Sequence, residues 1–494
     1  MADTHAFGMA AEKGRWLFVV FGLVMNLCLG SVYSYGVFKP HVEFEFNKKK
    51  AEQAGVAVNS IDKDLLKGIF SLKGDGAEKF YSSTKAITPE QVAEIFKLKP
   101  DVEKDKVKID NFTKLIPALA DKDLELLKGV KKVTSLEGNL PFMLFLAFFS
   151  ILMFFGGKIM EKLGPKKLAL IGGLIVGLGW GLSYFAQNIY MLMLTYGVVA
   201  GSGVGLAYGC PVSLGARWFP DKKGLAVGLM LAGFGGSALL TANIASALIP
   251  KVGLFTTFLY FGVAFAIILV LLSLPYKFPE AGWKPAGWSV PAGAAGGTDL
   301  SAGEMVKTAA FWGLFFAFLI GSIAGLMAIG ISAPVGQDII KVTAAQAAMF
   351  TGIFAIFNAI GRPIFGTLTD KITPKWAGVL NMSIILVVSL IMLFAAGEGT
   401  TTAYVVAFCG FWLCLGGWLA IAPAATASFF GMKNYARNYG VVFFAYGLGA
   451  LIGGLISGFA KDLFGSFTVA FYPTAGLAVL GIILCIALLK QPQK

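Results

Sequence analysis

The chain has 494 residues, 56% of them hydrophobic and 14% charged, with a formal net charge of +13. Soluble domains carry about 25% charged residues, and apolar runs of about 20 residues, the length that crosses a bilayer, recur here; a soluble enzyme is excluded. The basic excess does not indicate nucleic acid, because residues 41–139 hold 18 Lys against 17 acids, while the remainder holds 23 Lys or Arg against 11 acids.

In chain order, residues 1–40 contain the N-terminus and a first span near 16–38, too long and too poorly bounded for a cleaved signal peptide. Lys39, at its outer end, is read first as an interfacial anchor and second as an outer gate. A charged insert occupies 41–139. Within it Thr88-Pro89-Glu90 predicts a helix start, with Thr as cap and Pro at the first position; a second helix is expected over 110–128. Residues 140–275 hold spans near 140–160, 168–187, 190–213, 224–249 and 254–275. A central loop covers 276–309. Residues 310–494 hold spans near 310–333, 345–368, 376–396, 402–425, 438–459 and 468–489. The expected fold class is all-α integral membrane: twelve transmembrane helices in two six-helix halves, with an insert between helices 1 and 2.

With a cytoplasmic N-terminus, 18 Lys or Arg fall in cytoplasmic segments, while the short outer loops own Lys251, Lys341 and Lys461. This positive-inside bias places both termini in the cytoplasm and makes the insert extracytoplasmic. The reading is a multi-pass, monomeric membrane protein set in the lipid bilayer, whose basicity marks topology and not a nucleic-acid partner. Five cysteines in apolar runs lack metal-ligand spacing, and His5 and His41 are the only histidines. No metal, cofactor or catalytic residue is expected.

An internal repeat supports two halves. Gly157-Lys-Ile-Met-Glu161-Lys162-Leu-Gly164-Pro165 returns 209 residues later as Gly366-Thr-Leu-Thr-Asp370-Lys371-Ile-Thr-Pro374. Parallel six-helix repeats resemble the architecture of major facilitator transporters. Gly157 and Gly366 would let helices approach, and Glu161 and Asp370, with Lys162 and Lys371 beside them, would pin a neighbouring helix N-terminus. Such a latch can break and reform as the halves rock. Gly197, Gly201, Gly205 and Gly209 recur every fourth residue, a stripe suited to close helix contact.

Of the four arginines, Arg15, Arg217, Arg362 and Arg437, Arg362 alone falls inside a predicted span. A charge there costs about 2.5–3.5 kcal/mol on insertion scales and defaults to function. Its guanidinium suits a carboxylate. Asn358 lies one helical turn earlier on the same face. Tyr33, Tyr35, Tyr208, Phe443, Tyr446 and Trp418 are candidate cavity aromatics, the buried hydroxyls of Tyr33, Tyr208 and Tyr446 ranking first.

Several segments carry a family resemblance. Gly201-Ser-Gly-Val-Gly-Leu-Ala-Tyr208-Gly-Cys-Pro211-Val, then Arg217-Trp-Phe-Pro-Asp-Lys-Lys-Gly224, resembles the oxalate/formate antiporter family of the major facilitator superfamily. So do Phe278-Pro-Glu-Ala-Gly-Trp283 and Asn358-Ala-Ile-Gly-Arg362-Pro-Ile-Phe-Gly366. The resemblance implies carboxylate transport by alternating access in the cytoplasmic membrane, with Arg362 as the helix 8 arginine and Tyr33 and Tyr208 at cavity positions. Oxalate transporters carry a second cation, a lysine in helix 11, where this chain has Tyr446. The departure favours a monocarboxylate such as lactate, pyruvate or formate. Animal relatives place an aspartate, a proposed proton carrier, where Asn358 stands, so exchange against a counter-anion and uptake with a proton both stay open. Oxalate/formate exchange and a transporter-like membrane sensor, using the insert to contact a partner, are the alternatives.

Overall fold

In the computed structural model, residues 5–491 are described except 73–74, 84–86, 99, 101–102, 281–282, 286–298, 396–399 and 432–433. Ala281 and Gly282 of the loop motif above therefore lie outside the described residues. The chain opens with a small hairpin, β1 (His5–Ala6) and β2 (Met9–Ala10), which hydrophobic patterning did not reveal. Helix α1 (Ala11–Leu29) passes through a tight 3₁₀ turn, Gly30–Ser34, into α2 (Tyr35–Gln53). The first span thus continues well beyond residue 38, α2 running on through Pro40 to Gln53.

Five short helices follow: α3 (Lys63–Ser71), α4 (Asp75–Ser83), α5 (Pro89–Phe96), α6 (Glu103–Leu115) and α7 (Asp121–Gly129). Helix α5 starts where its sequence says it should: Thr88 accepts from the Gln91 amide and the Gln91 side chain accepts from the Thr88 amide, a reciprocal cap. These helices bury Leu65, Ile69, Phe80, Val92 and Ile116 in an apolar cluster separate from the main core. The five-helix segment occupies 54–134, narrower than 41–139, since α2 and the next long helix each take residues from its ends.

That next helix, α8 (Ser135–Leu182), is broken at Gly164, with φ 76° and ψ 167°. After it come α9 (Ile189–Leu192), a π-helical stretch (Met193–Ala200), α10 (Gly201–Trp218), α11 (Lys223–Val252) and α12 (Leu254–Ser273). The second half holds α13 (Ala302–Met305), α14 (Ala309–Asp338), α15 (Ala344–Phe394), α16 (Thr401–Phe430), α17 (Tyr435–Phe464) and α18 (Phe471–Leu488). Helix α15 is broken at Thr373, with φ 71° and ψ 157°. Gly164 and Thr373 stand 209 residues apart and each precedes a proline, so the repeat seen in the letters is a repeat of backbone conformation. Ten helical stretches among the described residues are long and apolar enough to cross a membrane, two of them being the broken 51-residue stretches Ser135–Phe185 and Ala344–Phe394.

Small residues set how closely these helices pack. A side chain at Gly205 of α10 would fall 2.6 Å from the Phe149 carbonyl of α8, and one at Gly453 of α17 would fall 2.7 Å from the Ile323 carbonyl of α14. Helix α14 is buried on all sides over 317–336, whereas α12 and α18 expose Leu271, Ile267 and Ile483, the apolar outer surface expected of lipid-facing helices.

Candidate functional site

Helix α15 carries Arg362 into the centre of the bundle at 4% exposure. One guanidinium nitrogen, Nη1, donates to the Leu231 carbonyl of α11 at 2.6 Å. Among the described residues Nε and Nη2 have no well-aligned hydrogen-bond partner, although the Tyr208 hydroxyl lies within reach of the guanidinium. A buried cation keeps its cost low only when it is paired and hydrogen-bonded, and here a lone carbonyl supplies neither charge nor the second edge of the fork.

Arg362 faces an aromatic cage. Its charge acts on Tyr33, Tyr208, Tyr439 and Tyr446, and the Phe234 ring lies 5.9 Å from Cζ. Tyr33 of the 3₁₀ turn and Tyr446 of α17 share a hydrogen bond of 2.7 Å. Phe443 stacks on Tyr446 at 4.9 Å and on Tyr208 at 6.4 Å. Phe149 packs edge-on to Tyr208, Phe443 and Tyr446. Both halves therefore supply walls, and the Tyr33–Tyr446 bond joins them.

Asn358 is fully buried, one turn before Arg362. Its amide nitrogen donates to the Trp412 carbonyl of α16 at 3.0 Å, while Oδ1 has no partner among the described residues. Trp412 packs edge-on to Tyr33 at 6.0 Å. Two other aromatics read from the sequence lie elsewhere. Tyr35 donates to the Gly138 carbonyl and stacks on Phe142 and Tyr196 within the first half. Trp418 stacks on Phe318 and presses against Gly321 of α14.

The cage also holds residues that sequence reasoning passed over. Tyr439 precedes Phe443 by one turn and Tyr446 by two, so the i, i+4, i+7 face of α17 was a usable signal. Phe149, Phe234 and Trp412 carried none, being aromatics among many. A second buried arginine was also missed. Arg15, 6% exposed at the start of α1, makes a bidentate pair with Asp221 at 2.6 and 2.9 Å and donates to the Trp218 carbonyl. The guanidinium hydrogen bond holds the Asp221 carboxyl below its ordinary range.

At one end of the bundle Lys39 is buried at 1% exposure. It donates to the Ser135 hydroxyl at 2.8 Å, with Glu43 at 3.7 Å and the Phe467 ring at 4.9 Å. At the opposite end Glu161, Lys162, Asp370 and Lys371 are exposed, and Gly157 and Gly366 are half-buried. Neither Glu161 nor Asp370 has an ion pair or side-chain hydrogen bond among the described residues.

Comparison with known proteins agrees with this architecture. The sequence pattern of the Major Facilitator Superfamily matches residues 111–426. The chain is 30% identical over 296 residues to the MFS-type transporter YhjX of Escherichia coli (strain K12), covering 60% of this chain and 72% of that one. It is 29% identical over 322 residues to the oxalate:formate antiporter of Oxalobacter formigenes, covering 65% and 74%. Similarity to human monocarboxylate transporter 14 is 25% over 417 residues, covering 69% and 81%. A helical bundle with ten apolar stretches among the described residues and a match over most of its length identify the chain as a transporter, not an enzyme, of the major facilitator superfamily.

Proposed function

We propose that the protein is a secondary active transporter of small carboxylates, a monocarboxylate such as lactate, pyruvate or formate being its substrate. The observation that carries this reading is the Arg362 guanidinium, buried with no carboxylate partner and no well-aligned acceptor at Nε and Nη2 among the described residues, beside a cage of tyrosine hydroxyls. Those two N–H groups lie on one edge of the fork, the edge that takes both oxygens of a carboxylate. Tyr446, at the position where the resemblance puts a second cation, is engaged as a hydroxyl with Tyr33. One positive charge suits one carboxylate. Relatives include an oxalate:formate antiporter and a monocarboxylate transporter, so the carboxylate class is shared and its size is what the cage would decide.

In this reading the two 51-residue stretches each cross twice, giving twelve crossings with both termini cytoplasmic in the cytoplasmic membrane. Substrate enters from one face, neutralises Arg362 and lowers the cost of occluding it. The halves then rock and release it opposite. Tyr33, Tyr208, Phe443 and Tyr446 line the site, Asn358 ties α15 to α16, and Tyr35 and Trp418 support the packing around it. Lys39 closes the outer end, and Glu161 and Asp370 engage when the cytoplasmic end closes. The coupled species is a counter-anion or a proton.

The test is counterflow in proteoliposomes loaded with lactate, pyruvate, formate or oxalate. Labelled monocarboxylate accumulation is the expected result. Accumulation of oxalate alone would replace the reading with oxalate/formate exchange, and binding without accumulation would replace it with a sensor.

A further inference from the structure

The first turn of α8 exposes four backbone N–H groups that no helical carbonyl can reach. Its own sequence satisfies half of them. Thr134 accepts from the Glu137 amide at 3.0 Å and the Glu137 carboxylate accepts from the Thr134 amide at 2.8 Å. The two left over belong to Ser135 and Leu136. Both donate to one carboxylate, Asp462, at 2.8 Å to Oδ1 and 2.8 Å to Oδ2. Asp462 is near the last turn of α17, 326 residues further on, in the other half of the bundle.

We propose that Asp462 is the catch of the outer gate, holding the halves together at that end and releasing α8 when the end opens. The proposal rests on the reading of the chain as an alternating transporter. A carboxylate at a helix N-terminus is held by charge as well as by hydrogen bonds, yet the contact is cheap to undo because water can replace the acceptor once the end is exposed. Neighbouring contacts follow the same line. Gly458 packs directly on Leu136, and Asn139 donates to Ser457 at 3.1 Å. On the α8 side, Lys39 holds the Ser135 hydroxyl and Asn47 of α2 accepts from the Val133 amide at 2.6 Å. The five-helix segment therefore delivers the chain to α8 already fastened to α2, so that α2 and the start of α8 move as one piece against Asp462. At the cytoplasmic end the repeated acids, Glu161 and Asp370, have no partner among the described residues. One end is latched and the other is not.

The test reads accessibility, which is independent of which substrate is carried. Met143 of α8 is 2% exposed and packs on Gly454 of α17, two turns inside the catch. In the full chain carrying Met143→Cys, in membranes, a membrane-impermeant thiol reagent is applied from the outside. Asp462→Ala should raise the labelling rate about tenfold, the factor of about one lost charge-assisted hydrogen bond. Asp462→Asn, which keeps one acceptor oxygen and the side-chain volume, should give a smaller rise and serves if the alanine variant does not reach the membrane. Asp338→Asn removes the adjacent pair with Lys461, 2.7 Å long, without touching α8 and should leave the rate unchanged. An unchanged rate in the Asp462 variants, or an equal rise in Asp338→Asn, overturns the proposal. Absence of carboxylate counterflow with the labelling change intact would instead reject the substrate reading and leave the catch standing.

Discussion

Each half of the molecule buries an arginine, and the two are solved differently. Arg15, in the first half, has a bidentate carboxylate, a backbone carbonyl and the Phe219 ring at 4.6 Å. Arg362, in the second, has one carbonyl and no carboxylate partner among the described residues. The first arrangement is a fastener between α1 and the α10–α11 turn: its Nε lacks a hydrogen-bond partner among the described residues, but its charge is answered by Asp221. The second, on the reading proposed above, is completed by an anion. Burial alone therefore does not mark a binding site, whereas burial with an unanswered charge does.

The largest effect should come from the incomplete arginine. Arg362→Ala should lower carboxylate uptake at least about 100-fold, the scale of losing a buried, hydrogen-bonded charge partner, while expression and thermal stability persist. Arg362→Lys should recover little, because an ammonium offers no planar fork. Normal uptake in either variant would remove the anion site from Arg362. Next comes the site's charge count. Tyr446→Lys adds a second cation beside Tyr33, and oxalate should gain on lactate by about tenfold in competition counterflow, about 1.4 kcal/mol. An unchanged ratio would show that size, not charge, sets the preference.

How much of this was legible beforehand differs between the halves. The apolar runs, the repeat around Gly157 and Gly366, and the charge at Arg362 are local features, and each can be read where it stands. Arg15 was counted with the loop cations that set orientation, since its partner Asp221 is 206 residues away and only the fold brings them together. Asp462 was passed over for the same reason: its ligands are backbone amides, which leave no trace in the letters. The cage was half visible. Tyr33, Tyr208 and Tyr446 rank first because a buried hydroxyl needs a partner, yet Tyr35 carries the same kind of hydroxyl and gives it to the Gly138 carbonyl. Hydroxyl burial names residues that must bond; it cannot say to what.

The paired arginine predicts a stability effect in place of a transport effect. Arg15→Ala should cost about 2 kcal/mol, within the range for a buried charge-assisted contact, read as a lower melting temperature in detergent with counterflow per folded molecule retained. The pH dependence follows from Asp221. Its carboxyl is held below the ordinary range by Arg15, so the folded form binds its proton less readily than the unfolded chain. The stabilisation is present above the ordinary carboxylate range and is lost as pH falls through the lowered folded value. Arg15→Ala should flatten that acid limb. A melting temperature with the same acid dependence in both proteins would assign the limb to other carboxylates.

The smallest effect concerns the break that the halves share. Gly164 and Thr373 adopt nearly the same backbone, φ 76° and ψ 167° against φ 71° and ψ 157°. That region is open to glycine and strained for a side chain with a Cβ, by about 1–3 kcal/mol. Thr373 is exposed, so its removal deletes no packing, and glycine loses part of the gain through a freer unfolded chain. Thr373→Gly should therefore raise stability by about 1 kcal/mol, and Gly164→Thr should lower it by a similar amount. Opposite signs of similar size would show that the breaks in α8 and α15 share a backbone requirement that only the first half meets with the unstrained residue. A neutral Thr373→Gly would mean that the second half relaxes around its threonine, and that the repeat constrains the path of the chain without constraining its strain.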